Sequence, residues 1–345
     1  MTEWFEQLFG FREKDFSYAD RQAQFEFLEN GTKLRARPNG QTYEVGTFEC
    51  LSLAHLRQVA RDDAAAVTRT RPTTVRHIAS TDVFLLHCDR DNRGALFQGA
   101  SQFNCLEFVS PRGIPENGVT CYAMDNTQGP ACAIAAGPAT VVRNYFARVG
   151  DQVGQTAAHQ LNNLDGVQRL LPPSCLDVVN GYTDSTDARL AALNKCLAAD
   201  PALRTAATDA LKIGVHWHVQ VPFADRRTVL THAAPHVVSQ VYCSAISVGY
   251  SAASSAAWAP FASLVLEASY EATLWAGVLN CRQTGCPTVF LTLLGGGVFR
   301  NREDWIVGAI AKALGAVAAY GLDVVVVHFR HVDRSIVDAL ESAMQ

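Results

Sequence analysis

The sequence lacks any run of lysine and arginine, although it contains 29 basic and 33 acidic residues and has a net charge of −4. A protein that binds the backbone of a nucleic acid needs a basic patch that neutralises phosphates. We therefore do not expect a nucleic acid as the main partner. A single small nucleotide in a pocket stays compatible with this composition.

The sequence also lacks a CxxC pair, because its ten cysteines are scattered. Cys88 in VFLLHCD and Cys243 in QVYCSAI lie within apolar runs, which is typical of buried free thiols. This pattern favours a reducing compartment. Cys281 and Cys286 are the nearest approach to a metal-binding pair, but no second pair or histidine is close in sequence, so no metal site is predicted.

A signal-peptide core and a long apolar run are both missing. The stretch 245–266 is the most apolar, and Gly249, Pro260 and several serines interrupt it. We expect a soluble, cytoplasmic protein. Since 48% of the residues are hydrophobic and only 18% are charged, the chain can build a sizeable core.

Residues 1–75 are predicted as an N-terminal accessory extension with helical and short extended parts. The apolar residues between 4 and 9 predict a short amphipathic helix, and a second helix is predicted over 52–67. The Arg-Pro-Asn-Gly turn at 37–40 lies between two extended segments. The remainder, residues 76–345, is predicted as one α/β domain with an insertion at about 150–230.

Two segments that follow the extension are predicted as strands. VFLLHC at 83–88 is a short continuous apolar run, as expected of a central buried strand. VTCYAMD at 119–125 is predicted as a strand that ends at Asp125. A helix is predicted to begin near residues 127–129.

The insertion contains two predicted helices, the second of which begins after the signal Asp200-Pro201. The alternating segment GVHWHVQV at 214–221 predicts a half-buried strand with His216 and His218 on one face. Two histidines on one face are compatible with a metal site, but solvated strand histidines are the commoner interpretation.

The C-terminal third must be mostly interior, because residues 231–299 contain only Glu267, Glu271 and Arg282 as charged residues. It alternates strands with helices, one of which is predicted from Pro260 to about residue 278. Such alternation with continuous apolar strands predicts a parallel or mixed sheet that is covered on both faces.

Three glycines, Gly295, Gly296 and Gly297, follow the apolar strand predicted at 287–294. Glycines at the end of such a strand let successive backbone N–H groups converge on an anion without a charged side chain. The loop lacks the Lys-Ser/Thr of a P-loop and the GxGxxG pattern. The alternative is a tight glycine-rich turn. Asn301 is predicted as the N-cap of the next helix.

The stretch from VVSQVYCSAISVGY through VFLTLLGGGVFRN to LDVVVVHF resembles the second half of a macrodomain. This resemblance implies a three-layer α/β/α fold with a mixed sheet, to which the N-terminal extension and the central insertion are added. It also implies ADP-ribose as the ligand, with no cofactor. The three glycines and Val298 would bind its pyrophosphate, and Phe299 would lie against the distal ribose.

The segment LFQGASQFNCLE is similar to the first ligand loop of the branch that includes poly(ADP-ribose) glycohydrolases. In that branch an Ala-Ser pair precedes an Asn that binds the distal ribose, which Ala100, Ser101 and Asn104 match. The Pro-Gly-Gly-Gly and Gln-Glu-Glu runs of the branch are absent. The combination of QFNCLE, YAMDNTQGPACA and the strands NGY and QVYCSAISV looks closer to a divergent branch. That branch includes bacterial effector hydrolases that remove ADP-ribose from arginine. The full predicted ligand-binding set is Ser101, Gln102, Asn104, Thr127, Gln128, Gly129, Gly295, Gly296, Gly297, Val298, Phe299 and Asn301.

Cleavage of a glycosidic bond at the distal ribose needs a carboxyl group as an acid or base. Asp125 is the first choice, and its alternative role is to cap the following helix. Glu107 is the second choice, and its alternative role is a structural salt bridge. Tyr182, after Asn180 and Gly181, supplies either a stacking aromatic ring or only a turn residue.

The predicted function is thus a metal-independent ADP-ribosylhydrolase that removes mono-ADP-ribose from protein side chains, with arginine as one candidate acceptor. A module that binds ADP-ribose without cleaving it is the first alternative. An enzyme acting on another nucleotide diphosphate or sugar phosphate is the second.

Overall fold

The computed structural model describes residues 3–62, 71–230 and 236–344. Its centre is a seven-stranded sheet in the order β4-β11-β12-β6-β13-β14-β5. The strands of this sheet are β4 (Thr47–Ser52), β5 (Thr74–Ser80), β6 (Leu96–Ala100), β11 (Lys212–Gln220), β12 (Val237–Cys243), β13 (Thr288–Thr292) and β14 (Asp323–Phe329). β11 is antiparallel to both of its neighbours, and the other pairs are parallel, so the sheet is mixed as predicted.

Shorter strands form three small sheets. These strands are β1 (Phe25–Leu28), β2 (Lys33–Ala36), β3 (Thr42–Glu44), β7 (Arg148–Val149), β8 (Gln152–Val153), β9 (Asp177–Val179) and β10 (Tyr182–Asp184). The helices are α1 (Trp4–Phe9), α2 (Tyr18–Ala23), α3 (Leu53–Asp62), α4 (Val83–Cys88), α5 (Gln128–Ala135), α6 (Gly137–Tyr145), α7 (Asp165–Leu170), α8 (Asp187–Ala199), α9 (Pro201–Ala210), α10 (Ser255–Thr284), α11 (Glu303–Ala316) and α12 (Arg334–Ala343).

Helices cover both faces of the large sheet. Alternate residues of one strand enter different hydrophobic clusters, since Leu96 packs with the α10 side and Phe97 with the α5 and α6 side. α10 contacts α3 and α11 on the first side, and α4 contacts α5 on the second. This arrangement confirms the predicted three-layer α/β/α architecture. No helix within the described ranges is both long and apolar enough to cross a membrane.

The first 75 residues are tied closely to the rest of the chain. β4, which precedes the predicted boundary at residue 75, pairs with β11, which follows it. Both parts of the chain therefore contribute strands to the same sheet. Glu13 is buried, and its carboxylate accepts hydrogen bonds from the N–H groups of Val119 and Thr120 and from the hydroxyl of Tyr145. The short helix at 4–9 is confirmed as α1. The helix predicted over 52–67 is confirmed as α3, and residues 63–67 lie outside the described residues.

The strand predicted at 83–88 is wrong, because this segment forms α4. The carboxylate of Asp82 caps the helix by accepting a hydrogen bond from the N–H of Phe84 at 3.1 Å. A six-residue apolar run has no periodicity that separates a buried strand from a buried helix. The buried strand of this region is β6.

The strand predicted at 119–125 is also wrong, because Thr120–Met124 forms a 3-10 helix. Gly118 has a positive φ of 85°, which turns the chain just before it. The Glu13 carboxylate then accepts hydrogen bonds from the N–H groups of Val119 and Thr120. In a strand these N–H groups would donate to a neighbouring strand. By contrast, the helix predicted to begin near residues 127–129 is confirmed as α5.

His216 and His218 do not share a face, because β11 contains a bulge between His216 and Val219. His216 is fully buried beside Phe48, with ring centroids 5.3 Å apart. The Nε2 atom of His218 instead lies 2.9 Å from Oε1 of Gln283 on α10.

The C-terminal elements β12, β13, α11, β14 and α12 match the predicted alternation. α10 begins at Ser255, five residues before the expected start at Pro260, because the Ser254 side chain caps it by accepting from the N–H of Ala257. All ten cysteines are free thiols.

Candidate functional site

The large sheet opens between β6 and β13 at the carboxyl ends of these strands. The two strands pair only at Leu96–Val289 and Phe97–Phe290. Beyond that point a cleft of about 850 Å³ begins, lined by the loops that follow β6, β13 and β14. A crevice at the carboxyl ends of parallel strands is where ligands bind in open α/β sheets.

Two glutamine side chains occupy the place where the β6–β13 ladder stops. Oε1 of Gln98 accepts a hydrogen bond from the N–H of Thr292 at 3.1 Å. Gln128 accepts from the N–H of Ala100 at 2.8 Å and donates to the carbonyl of Gln98 at 2.7 Å. The side-chain amide of Gln128, predicted as a ligand contact, is therefore largely used in joining α5 to β6.

The glycine loop at 295–297 lines the cleft as bare backbone. Gly295 has a φ of 76°, and a Cβ atom there would lie 2.4 Å from Cβ of Ala245, so both conformation and space call for glycine. The turn is closed by the N–H of Asn301, which donates to the carbonyl of Gly295 at 2.9 Å. Nothing lies within 4 Å of a Cβ atom built on Gly297.

In the part of the chain that the structure describes, three successive N–H groups of this loop, those of Gly297, Val298 and Phe299, donate to no protein acceptor. All three residues line the cleft. Consecutive unpaired amides form a concavity that binds anions without a charged side chain. The structure thus brings together the residues predicted to hold a pyrophosphate.

Asn301 is not the N-cap of α11, which begins at Glu303 and has Arg302 at the cap position without a capping side chain. The side-chain amide of Asn301 instead donates to the carbonyl of Ile246 at 2.7 Å. Asn301 therefore fastens the glycine loop to the segment that follows β12. It is buried and lines the cleft.

The loop that follows β6, residues 101–107, is held by its own polar groups. The hydroxyl of Ser101 donates to the carbonyl of Gln102 at 2.9 Å. The Gln102 side chain both donates to and accepts from the backbone of Phe108. Ser101 and Gln102 line the cleft as predicted, but their side-chain polar atoms already have protein partners.

Asn104 is not brought to the cleft, although the resemblance implied that it binds the ribose. It is fully buried, and its Oδ1 atom accepts from the N–H of Leu106 at 3.0 Å. Its Nδ2 atom donates to Gln160 at 2.7 Å. The short spacing to Leu106 lets the side chain stabilise its own loop, a local bond that asparagine makes readily.

Glu107 ends this loop as a buried carboxyl group on the wall of the cleft. Burial raises its pKa to about 8, and the guanidinium of Arg143, 3.5 Å away, opposes that rise. Within the described residues neither carboxyl oxygen has a hydrogen-bond partner. A carboxylic acid that keeps its proton at neutral pH is suited to act as a general acid.

Asp125, the first choice from the sequence, also lines the cleft and is half-buried. Its Oδ1 atom accepts from the N–H of Thr127 at 2.8 Å, so the alternative capping role is present. The two carboxyl groups thus have different surroundings, because Glu107 is buried, whereas Asp125 is half-buried and bonded to the N–H of Thr127.

The start of α5 lies between these two carboxyl groups and the end of β6. Thr127, Gln128 and Gly129 all line the cleft. A Cβ atom on Gly129 would lie 1.9 Å from the carbonyl oxygen of Ala100 and 3.2 Å from Cγ of Glu107. Glycine at this position allows α5 to approach both β6 and the Glu107 side chain.

Three aromatic rings that line the cleft contact one another. The ring centroid of Phe299 lies 5.5 Å from that of Tyr182 and 5.8 Å from that of Tyr250. The hydroxyl of Tyr182 donates to the carbonyl of Phe108 at 2.6 Å, which orients the ring. The sequence left Tyr182 undecided and missed Tyr250, whose signal is an aromatic residue shortly after the strand β12.

An ion pair between Asp82 and Arg226 lies elsewhere on the cleft wall, and the sequence did not indicate it. The two residues are 144 positions apart, so no local pattern could have joined them. Within the described ranges, no group of three or more His, Cys, Asp or Glu side chains could hold a metal ion.

No protein-family model matches the chain, and no curated protein sequence matches it. Among solved structures, the poly(ADP-ribose) glycohydrolase of Deinococcus radiodurans in complex with ADP-ribose is similar, with a TM-score of 0.41 and 13% identity over 86% of this chain and 94% of that one. The poly(ADP-ribose) glycohydrolase of Thermomonospora curvata has a TM-score of 0.42 and 12% identity over 94% and 97% of the two chains. At these TM-scores the likeness carries no argument about activity.

Proposed function

We propose that this protein is an ADP-ribosylhydrolase that cleaves the bond between ADP-ribose and a protein side chain, with Glu107 as the general acid. The observation that carries the proposal is the position of Glu107. A buried carboxyl group with a pKa of about 8 lies on the same cleft as three unpaired amides. A site for a diphosphate and a group that can donate a proton thus share one cavity.

Binding is supported by the glycine loop and the rings beside it. The N–H groups of Gly297, Val298 and Phe299 would hold a diphosphate through hydrogen bonds to the charged oxygens. The ring of Phe299 directly follows these amides and would lie against the ribose. The volume of the cleft, about 850 Å³, falls in the range of small-molecule sites.

Glu107 would protonate the leaving atom of the acceptor side chain as its bond to the ribose breaks. A water molecule would then attack the oxocarbenium-like carbon and give its proton to the Glu107 carboxylate. The products are ADP-ribose and the unmodified side chain, and Glu107 regains its starting proton. These steps need only groups that the cleft contains, together with water.

The acceptor would be a single modified side chain, with arginine favoured by groups that line the same cleft as Glu107. Asp125 offers a half-buried carboxylate there. The exposed ring of Tyr250 lies against Phe299. A carboxylate and aromatic faces together complement a guanidinium group. Asp125 then orients the leaving group and does not donate the proton.

The test combines binding with cleavage. ADP-ribose affinity is measured by calorimetry, and release of label is followed from arginine-, serine- and glutamate-linked ADP-ribosylated proteins. We expect binding, release from the arginine linkage, and much slower release by Glu107→Gln, which is nearly isosteric but has no acidic proton. Binding by the wild type without release from any linkage would leave the protein as a module that only binds ADP-ribose. Absence of binding would point to a different nucleotide or sugar phosphate.

A further inference from the structure

Arg143 of α6 is a fully buried cation directly behind Glu107. Its guanidinium carbon lies 3.5 Å from the ring centroid of Tyr242. Nε donates to the carbonyl of Cys105 at 3.2 Å, and Nη2 donates to the hydroxyl of Thr140 at 3.0 Å. Nη2 is also 3.5 Å from Oε1 of Glu107. These contacts fix the plane and position of the guanidinium.

Among the described residues, the acidic group paired with this cation is the carboxyl of Glu107. Burial raises the pKa of Glu107 to about 8, which disfavours its charged form at neutral pH. Burial also raises the pKa of Tyr122, Cys132 and Tyr242 and lowers that of His216, which leaves these neighbours uncharged. The guanidinium keeps its proton at any physiological pH. Nη1 has no hydrogen-bond partner among the described residues.

A buried cation without a counter-charge is unfavourable, and a carboxylate that forms beside it offsets part of this cost. We propose that Arg143 is a positioning residue that holds the Glu107 carboxyl on the cleft wall and stabilises the negative charge that Glu107 acquires when it gives up its proton. The part of Arg143 in catalysis rests on the proposed function. Its effect on the pKa of Glu107 is independent of that function.

The arrangement makes proton donation easier without contact between Arg143 and the substrate. Before donation the pair consists of a neutral acid and a cation, and after donation it is an ion pair in a site with little water. The charge that develops during the reaction therefore meets a fixed opposite charge that needs no reorganisation. Arg143 is not among the described residues that line the cleft, so we place its effect on the reaction at its contact with Glu107.

The first experiment measures the acidity of Glu107 directly, by a ¹³C NMR titration of its carboxyl group in the wild type, Arg143→Met and Arg143→Lys. Removal of the cation leaves burial unopposed, so in Arg143→Met we expect the pKa to rise by about one unit or more. Arg143→Lys retains the charge and should shift it less. An unchanged pKa in Arg143→Met overturns the proposal.

The same variants are then assayed for release of ADP-ribose across pH. A general acid must be protonated, so activity falls as the pH rises through the pKa of Glu107. In Arg143→Met this fall should move to higher pH, while kcat drops by about tenfold to a hundredfold and KM changes little. A purely structural defect would lower activity without changing the pH at which activity falls. That result also overturns the proposal.

A measurement on the wild type covers the case in which Arg143→Met fails to fold. The ¹⁵N resonance of Arg143 Nε should titrate with a midpoint near that of Glu107, and it should be flat in Glu107→Gln. A flat wild-type resonance overturns the proposal. If the resonances titrate together but no linkage is hydrolysed, the proposed function fails and the action of Arg143 on Glu107 stands.

Discussion

The glycine loop after β13 and the loop after β6 face the same cleft but are built in opposite ways. The first presents bare backbone, with three N–H groups that have no acceptor in the described part of the chain. The second uses the side chains of Ser101, Gln102 and Asn104 to satisfy its own backbone. At its end this loop carries Glu107, whose carboxyl oxygens accept no hydrogen bond within the described residues.

Under the proposed function, this difference assigns ligand binding to the glycine loop and proton transfer to Glu107. Backbone amides hold an anion at any pH, because they do not titrate. A carboxyl group changes its charge, and its acidity depends on how the surrounding loop buries it. We therefore expect changes in the glycine loop to alter affinity and changes at Glu107 to alter turnover. The following predictions test that division.

Glu107→Gln should have the largest effect on turnover. It should lower kcat by a factor of about 10² to 10⁴, the usual contribution of a general acid. The dissociation constant of ADP-ribose should change by less than about threefold, since the amides of the other loop are unaffected. Steady-state release assays and calorimetry check the two values. Equal losses in affinity and kcat would break the proposed division.

Gly297→Asp should weaken ADP-ribose binding by about tenfold or more, which corresponds to ~1.4 kcal/mol. The added carboxylate would repel the diphosphate at the three amides, and nothing lies within 4 Å of the new Cβ atom. Gly297→Asn is the matched control, because it has the same shape without the charge. Calorimetry should show much tighter binding for the Asn variant. Similar losses in both variants would argue against an anion at this loop.

Gly129→Ala should destabilise the fold by about 1 to 3 kcal/mol, because its Cβ atom would overlap the carbonyl of Ala100. The displaced α5 should also disturb Glu107, so kcat should fall. Gly308→Ala in α11 is the control, since its Cβ atom meets nothing within 4 Å and alanine favours a helix. Urea unfolding compares the two variants. Equal stability of both would contradict the tight contact.

The folding stability should fall as the pH rises from about 4.5 to about 8, to the extent that Glu107 contributes. Its pKa is higher in the folded state than the ordinary value of 4.5, so the folded protein binds more protons in this window. Glu107→Gln should remove this part of the dependence. Urea midpoints at several pH values provide the measurement. If the urea midpoint depends on pH in the same way in the wild type and in Glu107→Gln, the pKa of Glu107 is not raised in the folded state.

Asp125→Ala should have the smallest effect, a loss of about 1 kcal/mol in stability, because it removes the acceptor for the N–H of Thr127. Asp125→Asn keeps an acceptor and should be nearly as stable as the wild type. For an arginine-linked substrate both variants should raise KM more than they lower kcat. If Asp125→Asn abolishes turnover while retaining stability, Asp125 would be the acid that the sequence first suggested.

The sequence predicted the C-terminal half of the sheet well, because β12, β13 and β14 are continuous apolar runs separated by helices of clear periodicity. It also located the glycine loop, since three successive glycines are a local signal. It misjudged residues 83–88, whose helix depends on one capping carboxylate, Asp82. The 3-10 helix at Thr120–Met124 depends on Glu13, more than a hundred residues earlier in the chain.

The site was predicted less completely, for a related reason. Asp125 and Glu107 look alike as sequence, and burial separates them only when α5 and α6 pack against the loop after β6. Asn104 matched a family pattern, but its contact with Leu106 turns it inward. Arg143 is a plain helical arginine until the fold places it 3.5 Å from Glu107. Local patterns therefore located the loops, and distant contacts assign the chemistry.

The separation of β6 and β13 decides what joins the two walls of the cleft. Beyond Phe97 a side chain replaces the ladder, since Oε1 of Gln98 accepts a hydrogen bond from the N–H of Thr292. The Gln128 side chain bonds the backbone of β6 itself, at the N–H of Ala100 and the carbonyl of Gln98. A ladder of backbone bonds does not depend on which side chains the strands carry, whereas the opening of this sheet is encoded by two glutamines. Substitution of Gln98 or Gln128 is therefore expected to alter the cleft and to leave the paired part of the sheet below it unchanged.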